Sequence, residues 1–199
     1  MLEPVTLAVE GITDTAVVRR LLDEAHRPVG PEYGKTGKQA LDQSLDGYNR
    51  AARFSCWLVL RDMDHDAPCV AALARRLLPV PAPHMRLHIA VRALEAWLLA
   101  DAERIAEQLA VRVGRVPSDP EALANPKRAL IDVARHSRRR SIRDAIVPAE
   151  GTTAQTGPGY TAFVIEFVGS RWRPSVAAKH APSLARLRAF LAGHQSNDR

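Results

Sequence analysis

Hydrophobic positions along this chain fall into two rhythms. Short, mostly apolar runs alternate with stretches where apolar residues recur every three or four positions. The run Val5–Val9 (VTLAV) reads as a buried strand. Glu10-Gly11-Ile12-Thr13-Asp14 follows it. A helix comes next, with Val17, Val18, Leu21, Leu22 and Ala25 on one face and Arg19, Arg20, Asp23 and Glu24 on the other. Thr13 suits its N-cap, and Asp14 suits the positive end of the helix dipole. Residues 26–37 read as a loop holding at most one short strand. Residues 38–52 read as a helix with Leu41, Leu45 and Tyr48 inward. The second apolar run, Phe54 to Leu60, is a central strand that runs into Arg61-Asp62-Met63-Asp64-His65-Asp66. A helix is predicted over 67–78, with Asp66 as its cap and Pro68 in its first turn. After the stiff connector PVPAP, residues 87–91 form a third strand, and a helix carrying Glu95 opens directly behind it.

Strands that alternate with helices imply a mostly parallel sheet, and such sheets bind ligands at the carboxyl ends of their strands. Glu10, Asp62, Asp64 and Glu95 all follow predicted strands and are expected to converge at that edge, with Asp14 nearby. Beyond Asp101 the strand signal fades. Residues 102–110 are helical, and Asp119-Pro120 and Asn125-Pro126 mark further helix starts. Residues 162–168 fit a helix or a strand. A last amphipathic helix opens at Pro182 and runs to Leu191, with Gly193 as its stop. The fold class is therefore α/β, with a mostly parallel core over residues 1–105 and a mainly helical extension over 106–199.

Composition bounds this picture. A chain of 199 residues that is 46% hydrophobic and 25% charged can bury a core of its own. No apolar run approaches the roughly 20 residues of a membrane helix. Met1-Leu2-Glu3-Pro4 lacks the pattern of a signal peptide, and Cys56 and Cys69 form no CxxC or Cys/His cluster. A cytoplasmic protein without membrane partners is expected. The net charge of +6 and pI of about 9.9 favour polyanions, nucleic acid above all. Arg135, Arg138, Arg139, Arg140 and Arg143 form a basic cluster that reads as a phosphate-contacting patch or a solvated face. Lys35 and Lys38 are further candidates for phosphate contact. The segment around them, GPEYGKT, imitates a phosphate-binding P-loop, but its glycine spacing is one residue short.

The acidic turn carries the chemistry. In continued strand geometry Asp62 and Asp64 point to the same side. Two carboxylates held that close repel by about 1 kcal/mol in water and about 4 kcal/mol near a protein surface. A hard divalent cation between them relieves the repulsion. The competing reading is a solvated acidic turn before a helix. Asp66 reads as a helix cap in preference to a third ligand.

Taken together, Glu10-Gly11-Ile12-Thr13-Asp14 and the later Asp62-Met63-Asp64 resemble the paired signature of Toprim domains, found in topoisomerases, bacterial primases and overcoming-lysogenisation-defect nucleases. Glu95, with Asp101 as a further candidate, is similar to the acids that the nuclease branch adds after the next strand. The wording VEGITD, GKTGK, LRDMDHD, AVRALEAWLLAD and SLARLRAF, spread over most of the chain, resembles the bacterial domain-of-unknown-function family 4276. The glycine that commonly follows a Toprim DxD is absent, and His65-Asp66-Ala67 stand there. The resemblance implies a Toprim-like Rossmannoid core and a Mg²⁺- or Mn²⁺-dependent nuclease. Glu10, Asp62 and Asp64 would be catalytic, and Glu10, Asp14, Asp62, Asp64 and Glu95 would be metal ligands. It further implies nucleic acid as substrate, DNA ahead of RNA, an ATPase partner protein, and a place in bacterial defence or DNA processing. The alternative is a non-catalytic module that uses the same acids to bind or sense nucleotides or nucleic acid.

Overall fold

The computed structural model describes residues 3–193. The chain divides into two compact units. One comprises the residues up to Val91 together with those from Ala185 on, and the other runs from Arg92 to Leu184. The sequence pattern places a single boundary near 105. The compact units instead part where the last strand ends, and the chain rejoins the first unit inside its final helix.

The first unit is built on four parallel strands, β1 (Val5–Val9), β2 (Val29–Gly34), β3 (Trp57–Asp62) and β4 (Met85–Ala90), in the order β2-β1-β3-β4. Helices α1 (Ile12–Glu24), α2 (Lys38–Ala51) and α3 (Val70–Leu77) connect them. All five residues of β1 are buried, as a strand covered on both faces requires. Leu41 and Leu45 of α2 pack with Ala8, Trp57 and Val59, and Leu73 of α3 packs with Met63 and Ile89. The short strand allowed for within residues 26–37 is β2, whose alternating exposure and internal Pro31 mark an edge strand. Gly34 closes β2 at a φ of +84°, and a Cβ there would stand 2.2 Å from the Val9 carbonyl oxygen. Only glycine lets the two backbones approach that closely.

Two local expectations change. The N-cap of α1 is Gly11, so Thr13 lies inside the helix. Helix α3 starts at Val70 with Cys69 as its N-cap, and Asp66 does not cap it. Cys69 is exposed and Cys56 is buried.

The second unit is helical. It contains α4 (Glu95–Leu99), α5 (Ala102–Leu109), α6 (Pro126–Arg135), α7 (Arg140–Ile146), α8 (Tyr160–Ser170) and α9 (Pro174–Ala177), and α10 (Pro182–Gly193) opens at its end. Asn125 caps α6 as its sequence predicts, with Oδ1 accepting from the Arg128 N–H at 2.9 Å. Asp119-Pro120 starts only a short 3-10 turn. Residues 162–168 are helical. Every residue of α4 is buried, and the Trp97 indole N–H donates to Ser183 Oγ at 2.7 Å. Asp101 is fully buried and takes two side-chain bonds and one backbone bond from Arg173. α10 runs on past Leu191, and Gly193, expected as its stop, is the last residue of the helix. No helix among the described residues is long and apolar enough to cross a membrane.

Candidate site at the strand switch point

The sheet order creates one place where the connections part. β1 leads to β2 on one side, and β3 leads to β4 on the other, so the order reverses between β1 and β3. The carboxyl ends of two such strands leave a crevice. Glu10 is the first residue past β1, and Asp62 is the last of β3. The two meet directly, because the Asp62 backbone N–H donates to Glu10 Oε1 at 2.8 Å. Asp14 sits buried in the first turn of α1. A Cβ on Gly11 would stand 3.2 Å from its Oδ2, so Gly11 keeps room for that carboxylate.

Asp64 follows in a left-handed conformation, φ +47°. The residue takes the conformation that glycine would otherwise supply, which Asp tolerates better than most side chains. Lys38, the first residue of α2, donates from Nζ to Asp64 Oδ2 at 2.8 Å and lies 3.1 Å from Asp66 Oδ2. Arg61, buried at 2% exposure, holds Asp42 at 2.9 Å and Asp66 at 2.6 Å, and its Nε stands 3.8 Å from Glu10. Lys38 and Asp42 are one turn apart and share a face of α2.

These contacts set the electrostatics. Burial raises the Glu10 carboxyl above its ordinary range. The Asp62 N–H and Arg61 oppose that rise, and Asp64 adds to it. Burial acts on Asp66 in the same direction, but the bonds from Arg61 and Lys38 prevail and hold it below the usual carboxylate value. Lys38 is disfavoured as a cation by burial, yet Asp64 and Asp66 outweigh this and raise it. Arg61 is raised through Asp42 and Asp66 against the cost of its burial.

Four carboxylates, those of Glu10, Asp42, Asp64 and Asp66, therefore share two cations, Lys38 and Arg61. Among these six side chains the acids outnumber the cations by two. The donors are hard oxygens. In charge and donor type the edge fits a divalent cation such as Mg²⁺ or Mn²⁺. Among the described residues, however, no group of three or more His, Cys, Asp or Glu side chains stands arranged around a common metal position. Lys38 supplies the positive charge beside Asp64.

The other predicted site residues have partners of their own. Glu95 belongs to the second unit, where Oε1 accepts from the Tyr160 hydroxyl at 2.7 Å and lies 3.3 Å from Lys127 Nζ. Lys35 pairs with Glu32 at 2.7 Å. The arginine cluster is partly structural. Arg138 and Arg143 donate to the carbonyls of Ala110 and Ser137, Arg135 pairs with Asp132, and Arg140 with Asp144. Arg61 and Asp42 were not among the expected site residues. The usable signals were an arginine at the end of an otherwise apolar run, and an acid one turn after Lys38. No family model, curated protein or solved structure matches the chain.

Proposed function

We propose that this protein is a Mg²⁺- or Mn²⁺-dependent, Toprim-like nuclease acting on the phosphodiester bonds of nucleic acid, DNA ahead of RNA. The observation that carries the reading is the meeting of Glu10 and Asp62 across the switch point, inside a group of carboxylates that outnumber their cations. Glu10, Asp62 and Asp64 would hold the ion, and a bound divalent cation supplies charge to polarise a phosphate. Glu10, with its raised proton affinity, suits a general acid or base near the reacting oxygen. Lys38 can exchange Asp64 for a phosphate oxygen, since both offer the same kind of acceptor. The resemblance to overcoming-lysogenisation-defect nucleases extends the proposal to an ATPase partner and to bacterial defence or DNA processing.

One observation favours a second reading. Lys38 already neutralises Asp64, which suits a module that binds or senses nucleotides or nucleic acid without cutting. Plasmid nicking separates the two. With Mn²⁺, the wild type is expected to nick and Asp64→Asn to lose nearly all activity, since one lost electrostatic contact in a transition state can cost about 2.7–4 kcal/mol. Asn keeps the size and the left-handed tolerance of Asp, so the loss reads charge. Nicking by both proteins alike would remove Asp64 from the chemistry. Binding of DNA without nicking by either would favour the sensing module.

A further inference from the structure

The second unit carries a cleft that the switch point does not involve. It has a volume of about 320 Å³, and its walls include Asn125, Lys127, Arg128, Ile131, Arg135 and Gln155. Three of those six side chains are cationic and none is acidic. Two acids lie within ion-pair distance of them. Asp132 is shared by Arg128 at 3.3 Å and Arg135 at 3.4 Å, and Glu95 lies 3.3 Å from Lys127. Among these five side chains the cations outnumber the carboxylates by one. The Asp132 pairs are long and solvent-exposed, so they hold the arginines weakly.

The position of the cations is also unfavourable for the helix that bears them. Lys127 and Arg128 stand in the first turn of α6, which contains no acid. A helix N-terminus already has a partial positive charge, and added cations there destabilise it. An anion in the cleft reverses that penalty. The rest of the lining suits an organic phosphate better than a bare ion. Ile131, Pro148 and Ala154 offer apolar surface, and the Asn125 and Gln155 carboxamides offer donors and acceptors. A second cleft of about 550 Å³ shares Arg135 and Pro148 with the first and adds Arg143 together with Asp144 and Glu150. Arg135 thus stands in the wall common to both.

We propose that this cleft binds a nucleotide through its phosphate, with Arg128 and Arg135 as the principal phosphate ligands and Lys127 beside them. The nucleotide is either free or the phosphorylated end of a nucleic-acid strand. Both present the same phosphate ester. The site does not depend on a metal at the switch point.

The test uses the full chain in EDTA, so that its outcome is separate from that of the nuclease reading. Affinity is measured for AMP and for a short labelled single strand with and without a 5′-phosphate. The proteins are the wild type and Arg128→Gln/Arg135→Gln. Both arginine side chains are substantially exposed, so the variant is expected to melt like the wild type. The expected result is AMP binding, tighter binding of the phosphorylated strand than of its unphosphorylated twin, or both. A drop of at least about tenfold is expected in the double variant. AMP binding alone assigns the free nucleotide, and a preference for the phosphorylated strand without AMP binding assigns the strand end. Equal affinity of the wild type for both strands with no AMP binding would overturn the proposal, as would equal binding by wild type and variant.

Discussion

The switch point and the α6 cleft treat charge in opposite ways. At the switch point four carboxylates share two cations, and one of those cations, Arg61, is buried within the protein. At the cleft three cations share two carboxylates, and the arginines remain solvated. The surplus sign differs, and so does the ligand that each place would attract. The depth differs too. A buried cation is tied to several acids at once and cannot leave without stranding them. An exposed arginine costs the fold little and remains available to a ligand.

The largest effect expected from that contrast is on stability. Among the described residues, Arg61→Met removes the only cation bonded to Asp42 and one of the two that serve Asp66. Breaking a buried pair leaves charge uncompensated, and a loss of about 3 kcal/mol is expected in chemical denaturation. Arg128→Gln, at the solvated cleft, should change stability by less than about 0.5 kcal/mol. Similar losses for the two would show that Arg61 is no more integrated than a surface side chain.

A smaller effect follows from Glu10. Its carboxyl is raised above 4.5 in the folded protein, so folding favours the protonated form. That contribution is complete below pH 4.5 and is lost as pH rises through the folded value. At neutral pH the ionised Glu10 therefore costs stability. Glu10→Gln keeps the oxygen that accepts from Asp62, and should melt higher than wild type at neutral pH in metal-free buffer. The advantage should vanish near pH 4. Asp66 works the other way. Its carboxyl is held below 3.8, so its contribution is present above that pH and is lost on further acidification. A melting difference between Glu10→Gln and wild type that stays constant with pH would contradict the assignment.

How much of this was legible depended on which signal each residue left. The mostly apolar runs that became β1, β3 and β4 announced a sheet buried on both faces, and the acids behind two of them located the switch point. β2 leaves only a faint signal because an exposed edge strand with Pro31 and two glycines carries no apolar run. Asp66 looked like a cap because Pro68 follows it closely, but tertiary partners outweighed the local preference, and Arg61 and Lys38 claimed its carboxylate. Glu95 sat behind a strand like the other acids, yet its bonds to Tyr160 and Lys127 depend on residues far along the chain. Periodicity reports which face of an element is buried. It does not report which distant side chain completes an ion pair.

Metal binding at the switch point is the claim on which most depends, and thermal melting with and without Mn²⁺ tests it most directly. Wild type, Asp64→Asn and Lys38→Met should be compared. A ligand that binds only the folded state raises the melting temperature in proportion to the logarithm of its concentration over Kd. Wild type should gain stability from Mn²⁺, and Lys38→Met should gain more, because the cation that competes for Asp64 is gone. Asp64→Asn should gain little. If Mn²⁺ leaves all three melting temperatures unchanged, the carboxylates at the switch point serve the fold alone and hold no metal.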